Sequence, residues 1–258
     1  FRATKDILDN YVLDGHDVVY FTLEMPRSNK GKFSSAAYLN KRLISCLSGL
    51  PFNDIRKGLL SESEFERFKF ACKFAKKYDK DKKFYVVDIP RGATVEDIES
   101  KFIEIRERFK PALVVIDYLG LMAGAEDDSD WEEIGKIAAR LHEFARVYDV
   151  PVISPVQLNR PSGAGQSLNK QNYNNTRIGR SSLIGQNANM VFQIECRDDE
   201  QNYTDMPLHI TKMRDAPKGV ILLNKDFARM RVYDLATQEV AISEIAQFVD
   251  IGVDIDDE

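Results

Sequence analysis

The chain has 258 residues, with 41 Asp and Glu against 36 Lys and Arg and a formal net charge of −5. That balance does not advertise a nucleic-acid binder, although whole-chain charge says little about where charges lie. The 43% hydrophobic and 10% aromatic content suffices for a real core, and the length fits one large α/β domain or two small ones. Cys46, Cys72 and Cys196 are odd in number and widely spaced, so they suggest neither a disulfide framework nor a metal site. There is no apolar run of about 18 residues and no signal-peptide pattern, so the expectation is a soluble, cytoplasmic protein without a membrane partner.

The first residue is Phe1, and the chain opens on a helical pattern carrying Ile7, Leu8, Tyr11 and Val12. A strand follows over Val18–Leu23, then a polar stretch, Pro26–Ser35, read as an exposed loop. Leu39, Leu43 and Leu47 recur at helical spacing, and Ser61 with Glu64 forms a capping-box signal. The helix it opens places Phe65, Phe68, Cys72, Ala75 and Tyr78 on one face. Phe84–Asp88 reads as a strand, and Thr94 caps a helix with Val95, Ile98, Phe102, Ile105 and Phe109 at three-four spacing. The unbroken apolar run Leu113–Ile116, ending on Asp117, suits a strand buried on both faces of a parallel sheet. Trp131, Ile134, Ala138, Leu141, Ala145 and Tyr148 make another amphipathic helix, followed by a strand over Val150–Val156. Met190–Leu235 holds several short β-type runs, expected to extend the sheet with antiparallel strands at its edge, and Asp250–Glu258 is acidic. This alternation of strands and helices predicts an α/β fold with a mostly parallel sheet, and the absence of a repeat or linker favours one domain.

Three strand ends carry chemistry: Glu24 after VVYFTL, Asp117 after LVVI and Gln157 after VPVISPV. In a parallel sheet all three lie along one edge and face one crevice, where ligands of such folds bind. A carboxylate for Mg²⁺, a second carboxylate as general base for water, and an amide sensing a terminal phosphate suit nucleotide hydrolysis. Each alone is more often a polar strand terminus than a catalyst; the row is what points to a site.

From Val150 to Ile194 there is no Asp or Glu, and the polar stretch Arg160–Ser182 contains Arg160, Lys170, Arg177 and Arg180. Basic and amide side chains on a long loop suit contact with a phosphate backbone, although an ordinary surface loop has the same composition. Tyr173 is its only aromatic residue, so extensive base stacking is not expected. Lys212 and Arg214 follow the run Leu208–Thr211 as KMR, on one side of the chain by alternation. Such a pair can be a solvated strand end, or can reach a phosphate held by a neighbouring subunit, as an arginine finger does.

These residues, in this order, resemble the C-terminal RecA-like motor domain of DnaB-type replicative helicases. VVYFTLEM, LSGLPFNDIRKGLLSESEF, LVVIDYLGLM, YDVPVISPVQLNR and ITKMRDAPKG match its segments from Val18 to about Asp234. The resemblance implies a RecA-like P-loop NTPase core over residues 1–240 with an acidic tail over 241–258. It implies Glu24 as the residue activating water, Asp117 as the Walker B ligand of Mg²⁺ and Gln157 as the γ-phosphate reader. Lys212 and Arg214 are implied to complete a neighbour's nucleotide site. Thr176–Val191 corresponds to the DNA-binding loop and the helix or strand entry after it. The family's arginine–glutamate–serine–glycine run is replaced there by Gly179, Arg180, Ser181 and Ser182. Arg180 is therefore the main DNA-contact candidate, with Arg177, Lys170 and Arg160 behind it.

No G-x-x-x-x-G-K-[ST] occurs in the chain. Along the family pattern, Phe1 falls just after that motif, so the expectation is that the natural protein extends N-terminally through a first strand and Walker A loop. The resemblance further implies ATP or another NTP as substrate, Mg²⁺ as cofactor and a hexameric ring moving 5′→3′ on single-stranded DNA. Primase and a helicase loader are the implied partners. The alternatives are a recombinase or clock-type ATPase of the same fold, and a non-catalytic DNA-binding scaffold.

Overall fold

A computed structural model describes residues 16–24, 35–78, 84–123, 131–157, 182–194, 205–214 and 217–233. The expected N-terminal helix of Ile7–Val12, the loop around Pro26 and the acidic tail lie outside these residues, as do Arg160, Lys170, Arg177 and Arg180. Among the described residues, no helix is long and apolar enough to cross a membrane.

Four strands, β1 (Asp17–Thr22), β2 (Phe84–Asp88), β3 (Pro111–Asp117) and β4 (Val152–Ile153), form a parallel sheet in the order β2-β1-β3-β4. The two central strands, β1 and β3, are the continuous apolar runs, and their alternate residues enter two different cores. Val19, Phe21, Leu23, Val114 and Ile116 pack on one face against α4 (Val95–Arg106) and α5 (Trp131–Tyr148). Val18, Tyr20, Leu113 and Val115 pack on the other against Leu39 and Leu43 of α1 (Ser35–Ser48). Behind α1 lie the short α2 (Phe52–Lys57) and the long α3 (Glu62–Tyr78), sharing a core of Ile44, Leu50, Ile55 and Ala71.

Local signals set the helix starts. At α4, Thr94 Oγ1 accepts from the Asp97 N–H at 3.2 Å, and the Thr94 N–H donates to Asp97 Oδ2 at 2.8 Å. Ser61 and Glu64 make the same reciprocal pair ahead of α3. Phe109 lies beyond the end of α4 yet still packs on the core. Phe65 is not part of the buried face of α3: it sits in the first turn, 48% exposed, and stacks on Phe68 at 6.1 Å.

Two expectations are corrected. The strand expected over Val150–Val156 is only Val152–Ile153, because Pro151 and Pro155 carry no N–H to donate to a ladder. The late strands do not continue the first sheet among the described residues. β5 (Met190–Ile194), β6 (Asp205–Met213), β7 (Gly219–Asp226) and β8 (Arg231–Tyr233) form their own antiparallel sheet, since a two-residue β4 is too short an edge to template them. Its small core is Met206, Leu223 and Val232. α6 (Ser182–Asn187) precedes this sheet and buries Ile184 in the core shared with α5. From the far end, Arg229 Nε donates to the Gly49 carbonyl at 3.0 Å and Arg231 Nε to the Cys46 carbonyl at 2.9 Å. These bonds place two guanidiniums on the C-terminal turn of α1, where the carbonyls carry the negative end of the helix dipole.

Candidate nucleotide-hydrolysis site

Asp117 is the last residue of β3, in register with Thr22 of β1, and the Leu23 N–H donates to the Asp117 carbonyl at 2.8 Å. Glu24 therefore leaves β1 beside Asp117 and is exposed. Gln157, also exposed, follows the adjacent β4 by four residues. The row expected from sequence is thus formed from three neighbouring parallel strands at their carboxyl ends. By strand alternation Asp117 belongs to the α1 face of the sheet, the face of Tyr20 and Val115, and Glu24 follows in the bend after β1.

The Asp117 carboxylate does not stand alone. Tyr20 Oη donates to Asp117 Oδ2 at 2.5 Å. Burial of the Tyr20 ring, then the bond to Asp117 and that residue's charge, hold the phenol far above its ordinary range, so it remains a donor at every physiological pH. Glu24 adds to this shift and Arg42, from α1, opposes it, so four titratable groups share this corner. Behind Asp117 the chain turns through a short 3-10 segment, Leu119–Leu121, and the Asp117–Tyr118 peptide is cis. Ser154 Oγ donates to the Ile116 carbonyl at 2.8 Å and accepts from the Leu119 N–H at 3.1 Å, tying both sides of that turn to the end of β4.

The donor set suits Mg²⁺. This ion keeps most of its waters and is held by one or two carboxylates with substrate phosphates, and a lone strand-end carboxylate beside a second one meets that need. No group of three or more His, Cys, Asp or Glu residues is arranged for a metal among the described residues. A protein-only metal cage is therefore not what this corner provides.

Lys212 and Arg214 lie elsewhere. Lys212 Nζ donates to the carbonyls of Gly185 at 2.6 Å and Gln186 at 3.0 Å, near the end of α6. Arg214 is exposed and borders an open cleft of about 520 Å³ with His142, Arg146, Asp149 and Asn189. That cleft includes Val150 and Pro151, which precede β4, so it lies by the start of the strand whose far end leads to Gln157. Within one chain Arg214 and the carboxylate row therefore lie at opposite ends of the strands. Sequence reading missed Tyr20 and Ser154. Tyr20 lies only four residues before Glu24, but the Ser154 contacts depend on how β4 ends and leave no signal in the sequence.

The chain is similar to replicative DNA helicases. It is 30% identical over 206 residues to replicative DNA helicase DnaB of Treponema pallidum (strain Nichols), covering 79% of this chain and 42% of that protein. It is 27% identical over 212 residues to replicative DNA helicase DnaC of Bacillus subtilis (strain 168), covering 80% of this chain and 43% of that one. The chain thus spans less than half the length of these curated relatives. Among solved structures, an ATPase domain superposes with a TM-score of 0.72 at 24% identity, over 90% of this chain and 79% of that one. A DnaB-like replicative helicase, described with its interactions with primase, gives 0.70 at 24% identity over 91% of this chain and 54% of that one. These superpositions establish a RecA-like α/β fold. The model of the DnaB-like helicase C-terminal domain matches residues 4–232, and the chain belongs to that family.

Proposed function

We propose that this chain is the nucleotide-hydrolysing motor of a ring-shaped, cytoplasmic replicative DNA helicase, over residues 1–240. One observation carries the reading: Glu24, Asp117 and Gln157 follow three adjacent parallel strands at one sheet edge, while Arg214 lies at a cleft by the start of β4. A site split in this way suits a reaction completed between subunits. A hexameric ring is the assembly proposed, as for the family it resembles.

Asp117 would hold Mg²⁺, which when bound neutralises charge shared between two phosphates of ATP or another NTP. Glu24 accepts a proton from the attacking water, for which an exposed carboxylate at the crevice is suitably placed. Gln157 donates its amide to the terminal phosphate and so distinguishes triphosphate from diphosphate. Lys212 and Arg214 act on the nucleotide of the neighbouring subunit, Lys212 from a position fixed by the α6 carbonyls. Arg180, with Arg177, Lys170 and Arg160, would meet the phosphates of single-stranded DNA from a segment without acidic residues. Movement 5′→3′ and contacts with primase and a loader are part of the same reading. The relatives named above are replicative helicases, which favours this reading over a recombinase, a clock-type ATPase or a scaffold.

The test is unwinding of a forked duplex by the full-length protein with ATP and Mg²⁺, beside Asp117→Asn. Unwinding by the wild type, with hydrolysis lowered more than roughly 100-fold in a variant that still forms rings, is expected. Full turnover in Asp117→Asn, or no unwinding by the wild type, would overturn the reading.

A further inference from the structure

Tyr20 is paired in register with Val115, two residues short of the Thr22–Asp117 pair. Its side chain therefore reaches diagonally along the sheet toward the crevice to meet Asp117 Oδ2 at 2.5 Å. The ring is 5% exposed and set against Val18, Leu39, Leu43 and Val115, with the Phe84 ring 5.8 Å away. Most of its body is thus fixed by packing, and the only polar atom is delivered to one carboxylate oxygen. A buried tyrosine needs an acceptor for its hydroxyl, and many acceptors would serve equally well in a purely structural role. This one is the proposed metal ligand.

We infer that Tyr20 is a positioning residue for Asp117, orienting the carboxylate for Mg²⁺ from behind. This rests on the reading of Asp117 as the metal ligand. The hydroxyl occupies Oδ2 and leaves Oδ1 as the oxygen offered to the cation. Carboxylates that bind metals are commonly held in this way by a further hydrogen bond, and losing that partner typically weakens metal binding 10- to 100-fold. The same bond draws charge from the carboxylate, which suits an ion that retains its waters and must leave with product.

The experiment measures Mn²⁺ binding by electron paramagnetic resonance to the full-length ring with a non-hydrolysable ATP analogue. Wild type, Tyr20→Phe and Asp117→Asn are compared. Phenylalanine keeps the ring and its contacts and removes one oxygen, so assembly and the melting temperature serve as controls. The expected result is roughly tenfold weaker Mn²⁺ binding in Tyr20→Phe and near-complete loss in Asp117→Asn. The Mg²⁺ concentration for half-maximal hydrolysis should rise in parallel in Tyr20→Phe, while the KM for ATP at saturating Mg²⁺ stays put. Wild-type Mn²⁺ affinity in Tyr20→Phe, with loss in Asp117→Asn, would overturn the positioning role and leave the ligand reading intact. Wild-type affinity in Asp117→Asn would overturn both.

Discussion

The Ser154 hydroxyl donates to the Ile116 carbonyl at 2.8 Å, one residue before the proposed metal ligand. The same oxygen accepts the Leu119 N–H at 3.1 Å, so a single side chain from the end of β4 braces both flanks of Asp117. Ser154→Ala leaves the buried Leu119 amide without this acceptor, a loss of about 1–3 kcal/mol. It also releases the turn that aims Asp117. The expected outcome is a lower melting temperature together with a roughly tenfold fall in kcat, since small displacements of a positioned group are costly. Urea denaturation and steady-state hydrolysis of the full-length protein check the two effects. A stability loss with unchanged kcat would mean that the turn does not need the brace.

Glu24 and Arg214 are assigned to opposite sides of a subunit boundary, which gives a mixing experiment with a definite sign. Glu24→Gln removes the general base and should lower turnover 100-fold or more while bound nucleotide accumulates. Arg214→Ala should retain nucleotide binding and lose turnover to a similar degree. In a mixed ring, an Arg214→Ala subunit supplies an intact Glu24 while its Glu24→Gln neighbour supplies an intact Arg214. Mixing two nearly inactive proteins should therefore restore part of the hydrolysis. Activity that stays at the level of the parents, in rings shown by native mass spectrometry to be mixed, would place both residues in the same site.

The legible part of this molecule was the part written in local physics. β1 and β3 announce themselves as unbroken apolar runs because both faces are covered, and their terminal acids follow from the direction of a parallel sheet. The Ser61 and Thr94 caps are readable because a cap involves residues only three apart. Tyr20 was hidden by its own strand: within VVYFT an aromatic residue looks like one more core side chain, and its acceptor is 97 positions away in sequence. Lys212 shows the same limit. Its alternation with Arg214 suggests a shared role, yet Lys212 is held by the α6 carbonyls while Arg214 is exposed at a cleft. Hydrophobicity overstates the length of β4, since it carries through Val150–Val156 while the prolines interrupt hydrogen bonding.

Phe102 anchors the face of the sheet opposite Tyr20. It is 1% exposed, with the rings of Phe144 and Tyr148 edge-on at 5.0 and 5.2 Å. Both partners belong to α5, so this one side chain of α4 joins the two helices that cover β1 and β3. Phe102→Ala should cost about 3–5 kcal/mol through lost burial and the cavity left behind, and Phe102→Leu considerably less. Chemical denaturation of the two variants checks the order. Equal losses would mean that the aromatic geometry, and not volume, sets the stability here.

Acid should weaken the two capping boxes before it touches the core. The Thr94 backbone N–H, and then its hydroxyl, hold the Asp97 carboxyl below its ordinary range; the Ser61 N–H and hydroxyl do the same for Glu64. A carboxyl whose folded value is depressed binds its proton more readily in the unfolded chain. Its contribution is therefore present above the unfolded value, near pH 4, and is lost as pH falls through the lower folded value. Asp97→Asn keeps a neutral acceptor of the same shape, so it mimics the protonated cap. The wild type should be the more stable at pH 7, and its advantage over Asp97→Asn should shrink steadily below about pH 4. Glu64→Gln should show the same convergence from the α3 side. Urea midpoints measured from pH 7 down to pH 3 test this, and an advantage that stays constant across that range would show that the charge on these caps contributes nothing to their strength.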